Sequence, residues 1–355
     1  MLKNVIDKYG LSYQDYEIQN FGSGLINKTW KLAEKSGKKS YILQQINKTV
    51  FKSPSQITEN ISKIGHYLAK NHPEYLFISS LPSKYNDFVI TDSANEYYKL
   101  APFVSESVTI NTVKNRKEAF EAARQFAKFT KLLAHFNSNT LHYTLPNFHN
   151  LTMRFMELES QLKQAKKDRL EQSLHLIRLV YKHKDIVDNY EQICSKQLLP
   201  LRVIHHDTKI NNVLFDKENN GLCIIDLDTV MPGYFISDVG DMMRTYLSPV
   251  DEEEQDLNKI EIREEFFAAI VEGYFEEMGN TLTNNEKKHF VYAGKFLIYM
   301  QAIRFLADYL NNDRYYGAKY EEHNLVRAKN QMTLLERYCE LEDKFNTMVS
   351  HYTTL

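Results

Sequence analysis

The stretch "VIHHDTKINNVLFDKENNGLCIIDLDTV", residues 203–230, gathers polar side chains beside two apolar runs that are typical of buried strands. It holds Asp207 and Asn212 before the first run, and Asp226 and Asp228 at the end of the second. Carboxylates rarely lie near a core unless they pair with a cation or bind a metal. The stretch therefore predicts a functional site on two short strands, "NVLFD" and "LCIIDLD", joined by the turn "KENNG".

The order of these polar residues matches the requirements of phosphoryl transfer. That reaction needs a carboxylate to accept the proton of the acceptor hydroxyl, oxygen ligands for Mg²⁺, and cations on the phosphates. Protein kinases supply an H-R-D aspartate, an asparagine five residues later and a D-F-G aspartate on a later hairpin. The equivalent places are occupied here by His205, Asp207, Asn212 and Asp226. We predict Asp207 as the catalytic base and Asn212 and Asp226 as the metal ligands.

Two neighbouring charges in the same stretch have more than one interpretation. Lys209 follows Asp207 by two residues and is predicted to be a catalytic cation for the transferring phosphate, with a solvated loop lysine as the alternative. Asp228 has the chemistry of a further metal ligand, of a group that orients the acceptor, or of a plain turn carboxylate. These alternatives remain open in the sequence.

Length and composition restrict the class of protein. A chain of 355 residues exceeds the usual size of one core, so two lobes are expected. The 44 Lys and Arg residues nearly balance the 46 Asp and Glu residues, so no nucleic-acid partner is expected. Three cysteines without zinc spacing predict a reducing, cytoplasmic environment, and no leader or membrane-spanning segment is recognised.

The periodicity of the chain changes near residue 105. Up to residue 104, short alternating runs such as "KTWKLAE", "YILQQI", "YLFISSLPS" and "EYYKLAPFV" predict antiparallel hairpins, with one helix near residues 54–70. Beyond it, "RKEAFEAARQFAKFTKLLAHF" has a helical apolar stripe. Further helices are expected near residues 150–166, 170–195, 260–278, 284–311 and 321–348. We predict an α+β, bilobal fold: a small β-rich lobe, residues 1–104, and a larger helical lobe, residues 105–355.

The glycine-containing stretch "FGSGLINKTW", residues 21–30, nearly spells a P-loop. Asn27 stands where that motif requires glycine, and a P-loop must open a helix, whereas the residues that follow alternate like a hairpin. We therefore predict a loop over nucleotide phosphates that contains Gly22, Ser23, Gly24 and Asn27.

The pattern HxDxxxxN followed by IDxD resembles the aminoglycoside phosphotransferase and choline kinase superfamily. The blocks "GSGLINKTW", "DTKINN", "IDLDTVMPG", "DVGDMMR" and "RFLADYLNNDRYY" further resemble its N-acetylhexosamine 1-kinase branch, and together these matches extend from about residue 21 to 330. The resemblance implies a protein-kinase-like fold that uses ATP and Mg²⁺. It also implies that "KLAPFV", with Leu100 and Phe103, forms the hinge that contacts adenine.

The resemblance also implies where the acceptor binds. Asp228, Arg304 and Tyr315 are the implied sugar ligands, with Asp308 and Asp313 as weaker candidates. Arg304 and Asp308 alternatively form a surface ion pair, because they are four residues apart on a predicted helix.

One departure from the wider superfamily concerns the third strand. A lysine that holds nucleotide phosphates is expected there, but "YILQQI" offers Gln44 or Gln45, and we predict Gln44 at the nucleotide. Lys28, Lys52 and Lys209 are alternative sources of the charge. The sequence does not choose among them.

The function implied by the resemblance is ATP-dependent phosphorylation of the anomeric 1-hydroxyl of N-acetylglucosamine or N-acetylgalactosamine. ATP and a small sugar are then the partners, with neither nucleic acid nor membrane, in a monomer or small homo-oligomer. Two alternatives are a kinase of the same fold for an aminoglycoside, choline or homoserine, and a nucleotide-binding pseudokinase without catalysis.

Overall fold

The computed structural model of the protein describes residues 2–22 and 26–353. Two predicted nucleotide-binding residues, Ser23 and Gly24, lie outside the described residues. The chain divides into two compact units, each described here by itself. The first unit comprises Met1–Thr109, Leu132–Pro146 and Val213–Pro232; the second comprises Ile110–Lys131, Asn147–Asn212 and Gly233–Leu355. The first unit thus differs from the predicted lobe of residues 1–104 by including two later segments.

A five-stranded antiparallel sheet forms the centre of the first unit. Its strands are β1 (Tyr16–Asn20), β2 (Lys28–Glu34), β3 (Ser40–Ile46), β4 (Ile90–Thr91) and β5 (Tyr97–Pro102), in the order β1-β2-β3-β5-β4. Two helices belong to the same unit, α1 (Leu2–Lys8) and α2 (Pro54–Asn71). Because Lys28 and Thr29 begin a strand and not a helix, the P-loop interpretation is excluded.

The two faces of this sheet differ in character because side chains alternate along each strand. One face is apolar and packs with α1 in a cluster of Val5, Ile6, Tyr9, Leu32, Leu43, Ile90, Tyr98 and Leu100. On the other face, Thr29 lies opposite Gln44, and Gln44 lies opposite Lys99. The polar row on that face therefore crosses three adjacent strands.

The stretch quoted at the outset folds as predicted into two short strands. Five short strands follow β5 along the chain: β6 (Val108–Thr109), β7 (Arg202–Ile204), β8 (Val213–Phe215), β9 (Gly221–Ile224) and β10 (Met231–Gly233). Within the first unit, β8 pairs with both β6 and β9. This pairing places the end of β9, with its aspartates, in the same unit as the five-stranded sheet.

The second unit is mainly helical. Its helices are α3 (Arg116–Leu132, whose last residue is assigned to the first unit), α4 (Leu151–Gln164), α5 (Lys167–Lys182), α6 (Asp185–Ser195), α7 (Ile236–Tyr246), α8 (Glu264–Met278), α9 (Asn284–Lys288), α10 (Phe290–Leu310), α11 (His323–Glu340) and α12 (Glu342–Thr353). Helix α10 packs against α4, α7 and α11. By length and composition α10 would suffice to cross a membrane, but 78% of its apolar window is buried inside the protein, as in the central helix of a core.

Two elements differ from the prediction. The run Tyr75–Ser83, expected as a strand, forms only one bridge, between Leu81 and Leu100, because Pro82 has no N–H to extend a ladder. Helix α7 was not predicted. Nine of its eleven residues are buried, polar Ser237, Asp238 and Asp241 among them, and Gly240, a poor helix former, lies in its middle.

Gly240 sets the distance between α7 and α10, which gives a first test of the packing. A Cβ at this position would collide with the carbonyl oxygen of Ala293 and lie 2.8 Å from Cβ of Leu297. We expect Gly240→Ala to lower the free energy of unfolding by roughly 1–3 kcal/mol, as overpacking does, measured by chemical denaturation. The control Ser160→Ala, on the exposed side of α4, should change it by less than about 0.5 kcal/mol. Equal effects of the two substitutions would contradict this account of the helix contact.

Candidate active site

The loop between β7 and β8 brings together the two predicted catalytic residues, Asp207 and Lys209, and the predicted metal ligand Asn212 in the second unit. Nζ of Lys209 lies 3.2 Å from Oδ1 of Asp207. Nδ2 of Asn212 donates to the carbonyl oxygen of Asp207 at 2.9 Å and to its Oδ2 at 3.2 Å. The carboxylate of Asp207 is therefore held between an ammonium group and an amide.

The protonation of this group suits a base. Burial by itself raises the pKa of Asp207, but the charges of Lys209 and His205 outweigh it and hold that pKa below its usual value. In return, the carboxylate of Asp207 raises the pKa of Lys209. Both side chains are thus charged near neutral pH, with the carboxylate ready to accept a proton.

Helix α7 holds the backbone of this loop through two aspartates that the sequence interpretation left without a role. The oxygens Oδ2 and Oδ1 of Asp238 accept the backbone N–H groups of His205 and His206, at 2.8 and 2.7 Å. Asp241 accepts the N–H of Thr208 at 2.8 Å. His206 has a φ of 66°, a strained value that persists only where the surroundings impose it. The hydrogen bonds to Asp238 and Asp241 of α7 impose this conformation.

A chain of ion pairs continues from Asp241 into the second unit. Arg244 donates to Asp241 at 2.9 and 3.0 Å and to Glu252 at 2.7 Å, and Arg327 also pairs with Glu252. Although burial raises the pKa of Glu252, the two arginines lower it to about 2. The spacing Asp238, Asp241, Arg244 places all three on one face of a helix, and this was the available signal for them in "DVGDMMR".

A group of rings surrounds Arg304 in the same unit, and we call Arg304, Phe148, Tyr315 and Tyr316 the aromatic wall. The guanidinium carbon lies 5.4 Å from the ring centre of Phe148, 6.0 Å from that of Tyr315 and 5.6 Å from that of Tyr316. Tyr315 is 68% exposed. Two predicted sugar ligands, Arg304 and Tyr315, are therefore brought together by the fold.

Two histidines connect the aromatic wall to the loop that carries Asp207. His149 stacks on Phe148 with ring centres 4.4 Å apart, and its ring centre is 5.4 Å from that of His206. Burial, followed by the charges of His206 and Arg304, lowers the pKa of His149 well below its usual value. His149 is therefore neutral, and its buried Nδ1 has no hydrogen-bond partner among the residues that the structure describes.

Asp308 and Asp313, the weaker sugar candidates, act as supports of the wall. Asp308 is 4% exposed and accepts the backbone N–H groups of Tyr315 at 2.8 Å and Tyr316 at 2.9 Å. Asp313 pairs with Arg169 at 2.7 Å. The alternative of a surface pair between Arg304 and Asp308 is wrong, because the carboxylate of Asp308 holds the tyrosine loop instead.

In the first unit, the two aspartates at the end of β9 have different surroundings. Asp226 is exposed and has a left-handed φ of 58°. Asp228 is only 2% exposed, and its carboxylate pairs with Lys99 through Oδ1 and accepts Nδ2 of Asn27 through Oδ2 at 2.8 Å. Because both oxygens are engaged and buried, a direct sugar-binding role of Asp228 is not supported.

Along β5, the polar face of the five-stranded sheet presents aromatic rings at one end and polar and charged side chains towards the other. At one end, Phe103 contacts Phe21 edge-on and lies 3.8 Å under Nζ of Lys31. Two residues back along β5, Ala101 is opposite Ile42, and two further back Lys99 is opposite Gln44. This order suits a planar base followed by phosphates.

The other predicted nucleotide residues take different positions. Gln44 donates to Oγ1 of Thr29 at 3.3 Å, and Asn27 links Asp228 to the backbone N–H of Asn47 at 3.0 Å. Gly22 has a φ of 79°, the left-handed conformation that glycine adopts easily. Leu100 points into the apolar cluster on the opposite face of the sheet, so its side chain does not serve the adenine contact predicted for it.

Comparison with known proteins places this geometry in a family. The sequence model of the phosphotransferase enzyme family (APH) matches residues 17–280. Among solved structures, an aminoglycoside phosphotransferase from Alicyclobacillus acidocaldarius is similar with a TM-score of 0.63 at 14% identity over 95% of each chain. A spectinomycin phosphotransferase solved with ADP and spectinomycin gives 0.56 at 15% identity, over 100% of this chain and 98% of the other. An ethanolamine kinase from Plasmodium vivax gives 0.55 at 16% identity, over 95% and 87%.

These likenesses confirm the predicted fold class. At such low identity they show the fold alone: an antiparallel sheet in a small N-terminal part and a larger helical part.

Asp238 provides a test of how the catalytic loop is held. In Asp238→Asn one acceptor oxygen becomes an NH₂ group that faces a backbone N–H, so one of the two amide bonds is lost. We expect the free energy of unfolding to fall by roughly 1–3 kcal/mol and the amide protons of His205 and His206 to exchange faster, as measured by hydrogen exchange. The exposed control Asp343→Asn should change neither. Unchanged exchange at both histidines would remove the proposed support.

Proposed function

The chain belongs to the phosphotransferase enzyme family, and from this premise we propose that it transfers the γ-phosphoryl group of ATP to the 1-hydroxyl of an N-acetylhexosamine. The observation that carries the proposal is the aromatic wall, in which Arg304 lies among neutral rings and which His149 and His206 connect to the loop of Asp207. A neutral sugar matches this surface by stacking and by hydrogen bonds.

Asp207 performs the proton transfer in this proposal. One of its carboxylate oxygens accepts the proton of the 1-hydroxyl as that oxygen forms a bond to the γ-phosphorus. The bond between the γ-phosphorus and the bridging oxygen breaks, and ADP leaves with that electron pair. Lys209, 3.2 Å from the carboxylate, orients it and neutralises charge on the transferring group.

Each unit, taken by itself, offers one oxygen donor of the kind that Mg²⁺ prefers. Asn212 uses its Nδ2 on Asp207, so its Oδ1 is the atom left for a cation, and Asp226 presents an exposed carboxylate. In the described ranges, 2–22 and 26–353, no cluster of three His, Cys, Asp or Glu side chains could hold a metal. Mg²⁺ is commonly bound through one or two protein oxygens together with phosphates. Asn212 and Asp226 are each proposed as a magnesium ligand from their donor chemistry alone, and such an ion would neutralise phosphate charge when bound.

The acceptor class follows from charge. Arg304 places a positive group in the wall, which repels choline, ethanolamine and aminoglycosides but donates to hydroxyl or acetamide oxygens. His149 is neutral and therefore adds no charge to this surface. A site built to pair specific polar groups rejects analogues that lack them.

Binding of the alternative acceptor, a cationic aminoglycoside, would require unpaired carboxylates in the protein, such as those of "DEEEQD", residues 251–256. In the structure, Glu252 pairs with two arginines, and the next two glutamates pair with lysines: Glu253 with Lys319 and Glu254 with Lys259. These carboxylates are thus already compensated, which favours the neutral sugar.

Asp207→Asn tests the base. The amide keeps the size of the side chain but cannot take a proton, so we expect kcat in an ADP-release assay with N-acetylglucosamine to fall by roughly 10²–10⁴. Calorimetric affinity for MgADP should stay near that of the wild type, and Asp188→Asn, exposed on α6, should be fully active. A variant that kept its kcat would mean that another group accepts the proton.

The acceptor panel tests the substrate. We expect N-acetylglucosamine and N-acetylgalactosamine to react well, glucose and galactose with kcat/KM lower by roughly 10–200-fold, and kanamycin and choline barely, in the same ADP-release assay. The phosphorus NMR signal of the product should couple to the anomeric proton. Coupling to the C6 protons, or faster turnover of kanamycin or choline than of either acetamido sugar, would overturn this proposal. ADP release with no acceptor at all would indicate a different activity.

A further inference from the structure

Lys99 is a charged residue buried in the first unit, and it has no role in proton transfer, metal binding or acceptor binding as proposed for this protein. It lies on β5 with 5% of its surface exposed, and its ammonium group pairs with the carboxylate of Asp228. We propose that Lys99 is the residue that binds the nucleotide phosphates in this protein, in place of a lysine on the third strand. This proposal depends on the proposed use of ATP.

The strand register carries the argument. Kinases place the phosphate-binding lysine on the third strand, where this protein has the neutral Gln44. Residues directly opposite one another on antiparallel strands point to the same face, and Lys99 is directly opposite Gln44. The ammonium group therefore comes from β5, the neighbour of the third strand, and lies on the same face of the sheet as a third-strand lysine would.

The alternative lysines do not fit this position. Lys28 is exposed and opposite Gln45, so it points to the other face of the sheet. Lys52 is exposed, beyond the end of β3. Lys209 belongs to the second unit, on the loop that carries Asp207, and not to the sheet. Among the lysines considered for the missing charge, none shares the face of Gln44, whereas Lys99 does.

The surroundings of Lys99 suggest a cation held ready for a ligand. A buried ion pair seldom stabilises a fold more than apolar residues of the same size, so its presence needs another reason. Asp228 is fixed on its second oxygen by Asn27, and Asn27 is fixed by the backbone N–H of Asn47. Asp228 thus acts as a positioning residue for the ammonium group. The ring of Phe103 and the small Ala101 lie further along the same face, where a base would precede the phosphates.

The test compares ligands with and without phosphates on the full-length protein. For Lys99→Met, we expect the calorimetric Kd of adenosine to stay within about twofold of the wild type. The Kd of ADP should rise at least about tenfold, because charge-assisted hydrogen bonds to phosphate are lost. Lys28→Met, which removes a lysine from the other face, should leave both values unchanged.

Two further variants separate this role from a structural one. Lys99→Met leaves Asp228 buried without its cation, so the double variant Lys99→Met/Asp228→Asn should regain thermal stability but not ADP affinity. Adding Gln44→Lys to Lys99→Met places an ammonium group on the neighbouring strand of the same face, and should recover most of the ADP affinity without changing adenosine binding.

The outcomes that overturn the proposal are distinct from those that overturn sugar phosphorylation. If the stable double variant bound ADP as tightly as the wild type, the Lys99–Asp228 pair would be structural only. A parallel loss of adenosine and ADP affinity would also overturn the proposal. Wild-type protein that bound ADP but phosphorylated no sugar would overturn the acceptor assignment and leave the Lys99 result decisive. Wild-type protein that bound neither nucleoside nor nucleotide would overturn both.

Discussion

The geometry of the site in the second unit depends on the hydrogen bonds that the carboxylate of Asp238, buried in helix α7, accepts from the catalytic loop. Its two oxygens bind two successive backbone N–H groups, those of His205 and His206, immediately before Asp207. Burial raises the pKa of Asp238 to about 6, so the charge is costly and is compensated by these backbone donors. A loop with a left-handed histidine keeps its shape because a rigid, buried helix supplies the acceptors.

The same helix connects the loop to the core. Gly240 allows α7 to approach α10 closely, and α10 carries Arg304 and Asp308. Asp308 then holds the loop of Tyr315 and Tyr316 by backbone bonds. The base and the aromatic wall are therefore both built on one pair of packed helices, and a shift in that packing would displace both.

Charge is handled differently in the two units. In the second unit, an extended chain of ion pairs runs from Asp241, which accepts the N–H of Thr208, through Arg244 and Glu252 to Arg327. In the first unit, Lys99 on the sheet and Asp228 form a single ion pair, with Asn27 as the third partner. An extended chain suits a permanent scaffold, whereas a compact pair leaves a cation that a polyanion is able to share.

The sequence by itself determined that short strands precede a mainly helical part, that the quoted stretch contains two strands, and that acid, amide and acid follow one another in the order typical of phosphoryl transfer. These features are local, because alternation, helical periodicity and turn residues act over a few positions. The tertiary structure alone decided that Lys99 meets Asp228, 129 residues away, and that Asp238 meets the loop 33 residues before it. It also decided that Leu100 faces the core and that Asp308 supports a loop. The partner of a buried polar side chain is set by packing and strand register, and the spacing of nearby residues in the sequence predicts neither.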